Sequence, residues 1–364
     1  MKISRELGLL KFKLFYYGVN INTENLKRLS LENYRVPSFV RTGASYGIEA
    51  IVEDKLCVNI PINLLSPICI SNDFKSLKIN DEFLCGISVL KNPISLDLKV
   101  QKGYIKDVAK VCFDRLGLTT YTGCRFKENK KGCNFCGISL GSNYSDKYLL
   151  TTEEVDKLVR KSLSIPNNGI KHILLSGGVL PGDDYGAVMF GKYAEMIKSR
   201  YPDLSIYVMM PPPKLNSSLQ YLIDSGVDEI ALNIEIMNDN MRKTIISGKE
   251  EIGMKRYFNA LEYLAERLPK YATRSILMGG IEEINYTLHG IEELCKRGVL
   301  PIISYYRTFS KTVPNIFQSE KDIYNLWESA VEIANRNNMI IGPTCIPCQN
   351  NVIALPVGMD YKYY

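Results

Sequence analysis

Cys124, Cys133 and Cys136 lie in the segment 122–140, TGCRFKENKKGCNFCGISL, with the spacing C-x8-C-x2-C. A single cysteine commonly packs as a small apolar side chain. This segment is basic and glycine-rich and has no apolar period, so it offers no helix or strand face to bury three thiols. A Cys-x2-Cys pair brings two thiolates to one metal centre, and the third thiol of the loop completes a face around it. Iron–sulfur clusters are normally held by four cysteines. Three leave one iron open, and an open position separates a reactive site from a closed structural one. A second pair, Cys345 and Cys348 in GPTCIPCQN, repeats Cys-x2-Cys in a Pro-flanked loop, which is a metal or redox signal. Two thiols do not fill a tetrahedron. Cys57, Cys69, Cys85 or Cys112 would have to join them for an auxiliary iron–sulfur or mononuclear metal site, and free thiols are the alternative.

The elements that must hold these residues are regular from Leu116 onward. GLTTYTG reads as a strand running into the cysteine loop, and Thr151 to Glu154 as a capping box opening a helix. Strands are expected at 171–178, 204–210, 228–235, 272–280 and 299–306, each followed by a helical segment. Most are continuously apolar, the pattern of a parallel sheet covered by helices. Functional groups in such folds gather at the C-terminal strand ends, where the cysteine loop lands. Gly177 and Gly178 end the second strand in a tight turn. Asn233 and Glu235, two residues apart, share one face of the fourth strand, which should be the lumen. Tyr305, Tyr306 and Arg307 end the sixth and are candidate substrate-side residues. Residues 1–110 read as a β-rich extension with short strands at 51–52, 56–60 and 83–89. Residues 111–338 read as the barrel, and 339–364 as a tail carrying the second thiol pair.

This pattern resembles the radical S-adenosylmethionine (SAM) superfamily, in which three cysteines on one loop hold a [4Fe-4S] cluster and the open iron takes the amino and carboxylate groups of SAM. The usual spacing there is C-x3-C-x2-C. The longer first gap is similar to that of radical SAM proteins encoded beside nitrilases, and CVNIPI, SPICIS and RFKENKKGCNFCGISLG extend the likeness. The resemblance implies a partial (β/α)6 TIM-like barrel. It puts Gly177-Gly178 where the family's GGE turn meets the SAM amino group, here with Val179 in place of the acid. ALNIEIMNDNMRKTI resembles the lipoyl-synthase strand NHN-x-E, which would set Asn233 and Glu235 against the methionine or ribose. Arg242 would pair with the SAM carboxylate through its planar guanidinium. Met278 and Gly279 would lie near the adenine, and Phe135 would flank it. The implied chemistry is reduction by a flavodoxin- or ferredoxin-type donor, reductive cleavage of SAM to a 5′-deoxyadenosyl radical, and hydrogen abstraction from a small-molecule substrate.

Composition narrows the alternatives. The 364 residues carry a net charge of +6, with 46% hydrophobic and 23% charged residues, an ordinary globular balance. No Lys/Arg run is interleaved with aromatics, so nucleic-acid binding gains no support. No apolar signal region or membrane-length span is evident, and ten cysteines without one suit a reducing, cytoplasmic setting. Only His172 and His289 are available, which argues against a His-rich zinc hydrolase; both are expected in core or surface roles. The competing readings are a non-catalytic zinc or iron–sulfur module, sulfur insertion of the lipoyl-synthase kind with a cluster on Cys345 and Cys348, and methyl transfer.

Overall fold

The computed structural model describes residues 4–32, 34, 47–91, 99–100, 103–104, 108–140, 147–165, 169–307 and 313–356. The chain opens with two helices, α1 (Arg5–Tyr17) and α2 (Thr23–Leu31), each capped by a side chain, Ser4 and Asn22 respectively. These two helices precede the β-rich part of the region and were not expected. Strands β1 (Ile48–Val52), β2 (Leu56–Ile60), β3 (Ile68–Ile70), β4 (Ser76–Ile79) and β5 (Glu82–Val89) follow. They form an antiparallel sheet in the order β2-β1-β5-β4-β3. A short ribbon pairs β6 (Lys99–Val100) with β7 (Gly103–Tyr104).

The second sheet holds β8 (Ala109–Cys112), β9 (Arg115–Thr119), β10 (His172–Ser176), β11 (Ser205–Met210), β12 (Glu229–Leu232), β13 (Thr273–Gly279) and β14 (Leu300–Tyr305). Its order is β14-β13-β12-β11-β10-β9-β8. The six expected strands are all present and parallel, and they curl into a half-barrel. The edge strand β8, antiparallel to β9, was not expected. Short helices α3 (Arg125–Glu128) and α4 (Gly137–Leu140) lie in the cysteine loop. The covering helices are α5 (Thr152–Leu163), α6 (Ala187–Arg200), α7 (Asn216–Asp224), α8 (Asp239–Ile245), α9 (Ser247–Glu250), α10 (Met254–Ala265), α11 (Ile284–Lys296) and α12 (Glu320–Arg336). The capping box at Thr151 and Glu154 is formed, and it satisfies the amides that open α5.

Strand alternation sorts the side chains into two layers. On β9 and β10, Leu116, Leu118, Ile173 and Leu175 are fully buried in the apolar core. Arg115, Gly117, His172, Leu174 and Ser176 face the lumen instead. The parallel register sets Arg115 beside His172 and His172 beside Ser205, so one layer of lumen residues lies at the N-terminal strand ends. The open side of the half-barrel is filled by residues 342–353. Gly342 N donates to Pro301 O at 2.9 Å and Ile353 N to Ile303 O at 2.7 Å, so this segment pairs along the free edge of β14. A 3-10 helix, Pro347–Asn351, bulges inward between these two anchor points.

Candidate active site

The cysteine loop is clamped on two sides. Gly178 N donates to Tyr121 O at 2.9 Å and Arg125 N to Val179 O at 2.8 Å, which binds the loop to the turn after β10. Asn134 N donates to Ile245 O at 2.9 Å, and Gly248 N to Lys131 O at 3.0 Å, which binds it to α8 and α9. The two glycines after β10 are required by this packing. A Cβ on Gly178 would stand 1.5 Å from Gly123 O and 2.9 Å from the Cys124 Cβ, and one on Gly177 would stand 2.8 Å from Tyr121 N. Their lack of a side chain therefore serves the loop backbone first, while both also line the lumen.

All three thiols open onto one cavity of about 410 Å³ that runs the length of the lumen. Of the residues the sequence singled out, Phe135, Asn233, Glu235, Met278, Tyr305 and Arg307 also line it. Phe135 and Met278 pack with Cys133 and Tyr306 in a small apolar cluster beside the thiols. Burial, and then the Glu235 carboxylate, push the Cys133 thiol well above its usual range.

Strand β12 leaves its ladder at Leu232, earlier than its apolar run suggests, and side chains replace the missing rungs. Asn233 Oδ1 accepts from Ile276 N at 3.2 Å, and Ser275 Oγ accepts from Ile234 N at 3.1 Å. The chain then turns at Glu235, whose φ is +69°, and this conformation aims the carboxylate into the cavity. There it meets Lys249, whose Nζ lies 2.8 Å from Glu235 Oε2 and 3.3 Å from Asn233 O. Burial opposes the Lys249 charge, but Glu235 outweighs it and holds the ammonium well above its ordinary range. Lys249 was missed at the level of sequence, where SGKE is a short polar run with no motif around it.

Two of the expected residues stand outside the cavity lining. Arg242 does not line the cavity; it is fully buried, ion-paired to Glu250, and donates from Nη1 to Ile236 O at 2.9 Å and Ile234 O at 3.4 Å. Its fork fastens the two carbonyls that flank Glu235, and so fixes the turn. Gly279 is also outside the cavity lining, its Cα face packed against Ile353 and Ile303. Tyr305 and Arg307 line the cavity but are held by the N-terminal segment. Tyr305 stacks on Phe15 at 5.3 Å between centroids, and Arg307 Nη1 donates to Asn59 Oδ1 at 2.6 Å.

At the opposite end of the lumen the second thiol pair finds other partners than those expected. Among the described residues, the group of His, Cys, Asp and Glu side chains brought to single-ion spacing is Asp114, His172, Cys345 and Cys348, with all ligand atoms within 4.8 Å of one another. Cys69 is exposed on β3, Cys57 and Cys85 are buried in the N-terminal sheet, and Cys112 accepts from Asn350 Nδ2 at 3.7 Å. His172, expected in a packing role, sits with Nε2 at 3.1 Å from Cys348 Sγ. A hydrogen bond from Cys345 holds the Cys348 thiol well below its usual range, with Arg115 and His172 adding to the effect, while Cys345 rises in exchange.

A half-barrel of parallel strands with three thiols on the loop after the first of them defines a class, and comparison with known proteins narrows it. Residues 118–295, just under half of the chain, match the model of the Radical SAM superfamily. An uncharacterized protein of Methanocaldococcus jannaschii is 26% identical over 121 residues, which is 32% of this chain and 30% of that protein. Streptococcus suis SuiB, solved with S-adenosylmethionine bound, overlays with a TM-score of 0.50 at 12% identity over 65% of this chain and 52% of its own. HydG, a maturase of the [FeFe]-hydrogenase, overlays with a TM-score of 0.48 at 16% identity over 62% of this chain and 51% of its own. The chain thus spans about half the length of these solved structures. No described helix is long and apolar enough to cross a membrane.

Proposed function

We propose that this chain is a radical SAM enzyme acting on a small molecule, with Cys124, Cys133 and Cys136 holding a [4Fe-4S] cluster. The observation that carries the reading is that three free thiols on a doubly clamped loop open onto the same lumen as the buried Glu235–Lys249 pair. The donor set fits the group. Three thiols converge on one cavity yet are not drawn to single-ion spacing, which suits a cluster better than a structural zinc ion. Loaded with cluster and SAM and fed one electron by a flavodoxin- or ferredoxin-type donor, such a site cleaves the sulfonium and yields 5′-deoxyadenosine once a substrate hydrogen is taken.

The chain's own residues would do the positioning. Glu235 and Lys249 form a carboxylate–ammonium pair of the polarity needed to meet a zwitterionic amino acid head group, each exchanging its present partner for one on the ligand. Phe135 and Met278 supply an apolar wall next to the thiols for a planar base. Residues 342–353 cover the open side of the lumen and would limit the access of water from that side. Sulfur insertion is less well supported, because Cys345 and Cys348 converge with Asp114 and His172 to the spacing of a single ion instead of the corners of a sacrificial cluster. The test is anaerobic reconstitution with iron and sulfide, then incubation with SAM and dithionite. The reconstituted protein should release 5′-deoxyadenosine, and Cys133→Ala should release none while keeping its circular dichroism. Undiminished cleavage by that variant sinks the assignment.

A further inference from the structure

We propose that Asp114, His172, Cys345 and Cys348 bind one Zn²⁺ ion that staples the open side of the half-barrel. The four come from two distant parts of the chain. Asp114 lies in the two-residue turn between β8 and β9, and His172 opens β10. Cys345 and Cys348 lie in the segment held on the free edge of β14, at the other end of the sheet order. An ion here would therefore join the β9–β10 side of the sheet to the segment fastened along β14, across the gap that the parallel ladder leaves open.

The geometry fits one small ion. Zinc bonds of about 2.3 Å to sulfur and about 2.0–2.1 Å to nitrogen or oxygen set tetrahedron edges of roughly 3.4–3.8 Å. Cys345 Sγ stands 3.5 Å from Asp114 Oδ2, and His172 Nε2 stands 3.1 Å from Cys348 Sγ, so little movement is needed to admit the ion. Two thiols, one imidazole and one carboxylate are a donor set suited to zinc, and four protein ligands make a closed, structural site. In the bound state both sulfurs would be thiolates, any remaining thiol proton passing to solvent, so that two thiolates and a carboxylate surround the dication. The single negative charge that results has a counterion in place, since Arg115 Nη1 lies 3.7 Å from Cys348 Sγ. A four-iron cube would hold its ligands apart by its own width, which these side chains do not allow without parting.

The experiment uses the full chain with Cys124, Cys133 and Cys136 all replaced by Ala, so that iron on the rim cannot contribute. Purified under reductant and dialysed, it should retain one zinc per chain by elemental analysis. Exchange of that zinc for Co²⁺ should give the intense visible bands and sulfur-to-cobalt charge transfer of a tetrahedral thiolate site. Adding His172→Ala or Cys348→Ser should abolish stoichiometric zinc, whereas adding Cys112→Ser should leave it. Chelation should lower the thermal midpoint of the parent protein and not of the ligand variants. The proposal is overturned if the folded parent takes up neither zinc nor cobalt. It is equally overturned if zinc content ignores the ligand substitutions, if the pair carries acid-labile sulfide, or if it proves to be a disulfide under reductant. The cobalt spectrum needs no substitution among the four ligands, so it decides the matter even where a variant does not fold.

Discussion

Lys249 lines the cavity and Arg242, which the family resemblance would set against the SAM carboxylate, does not; the two residues separate by experiment. Lys249 and Glu235 are each largely buried, and their ion pair lies at the cavity wall. Removing one partner leaves the other charge uncompensated, so Lys249→Met should destabilise the protein by about 3–5 kcal/mol in urea unfolding. Adding Glu235→Gln should recover part of that loss, and the recovery in a double-mutant cycle measures the pair. If the pair also receives SAM, the folded Lys249→Met protein should bind SAM roughly 10- to 100-fold more weakly by equilibrium dialysis, the loss of one charge-assisted contact. Arg242→Lys should behave differently. It keeps the charge near Glu250 but loses the fork on Ile234 O and Ile236 O, so stability falls while SAM affinity of the folded fraction stays within about threefold. A large loss of affinity with unchanged stability would return Arg242 to the ligand.

At the level of elements, the cysteine loop is shaped by the strand beside it, and Gly178 is the point of contact. Gly178→Ala would drive a Cβ into the Gly123 carbonyl, which is backbone and cannot swing aside. The loop must then shift, and reconstituted iron content should fall by more than half with the far-ultraviolet spectrum preserved. Gly117→Ala on β9 is the control, because its added Cβ meets Lys110 O at an ordinary 3.6 Å and iron loading should not change. Much of this scaffold could be read from the sequence, because β10, β11 and β14 are largely apolar without a polar alternation and Thr151–Glu154 states its own capping box. The two N-terminal helices were not legible, since the buried side of α1 includes Gly8 and Lys11 and so breaks the apolar stripe. The floor of the lumen was hidden for another reason. Cys345 meets Asp114 across 231 residues and Cys348 meets His172 across 176, and no local pattern encodes a pairing that the closing of the sheet creates.

Across the whole molecule, the first helix and the last described segment are fastened together by one amine. Lys11 on α1 is buried, and its Nζ donates to Gln349 O and Ala354 O at 2.7 Å each, immediately beside the segment that fills the open side of the barrel. Burial lowers its pKa to about 7, with Cys57 pulling the other way, and the ring of Phe15 lies 5.5 Å from the amine. The unfolded chain holds the Lys11 proton up to its ordinary value near 10.5, whereas the folded chain releases it near 7. Between those limits the unfolded state binds more protons, so stability rises with pH through this window and is flat below it. The full excursion is on the order of 4–5 kcal/mol. Buried acids such as the Tyr207 phenol, pushed up to about 12 by burial, act in the opposite direction at the alkaline end. The measurement is therefore the difference between wild type and Lys11→Met in urea unfolding from pH 6.5 to 10. Lys11→Met should be the less stable protein at the alkaline end, where two carbonyls have lost a neutral donor. Its deficit should shrink toward pH 7, where the wild type must carry a buried charge. A difference that does not vary with pH would mean that Lys11 stays protonated in the fold, and the fastening would then be an ammonium held by two carbonyls and a ring rather than a neutral amine.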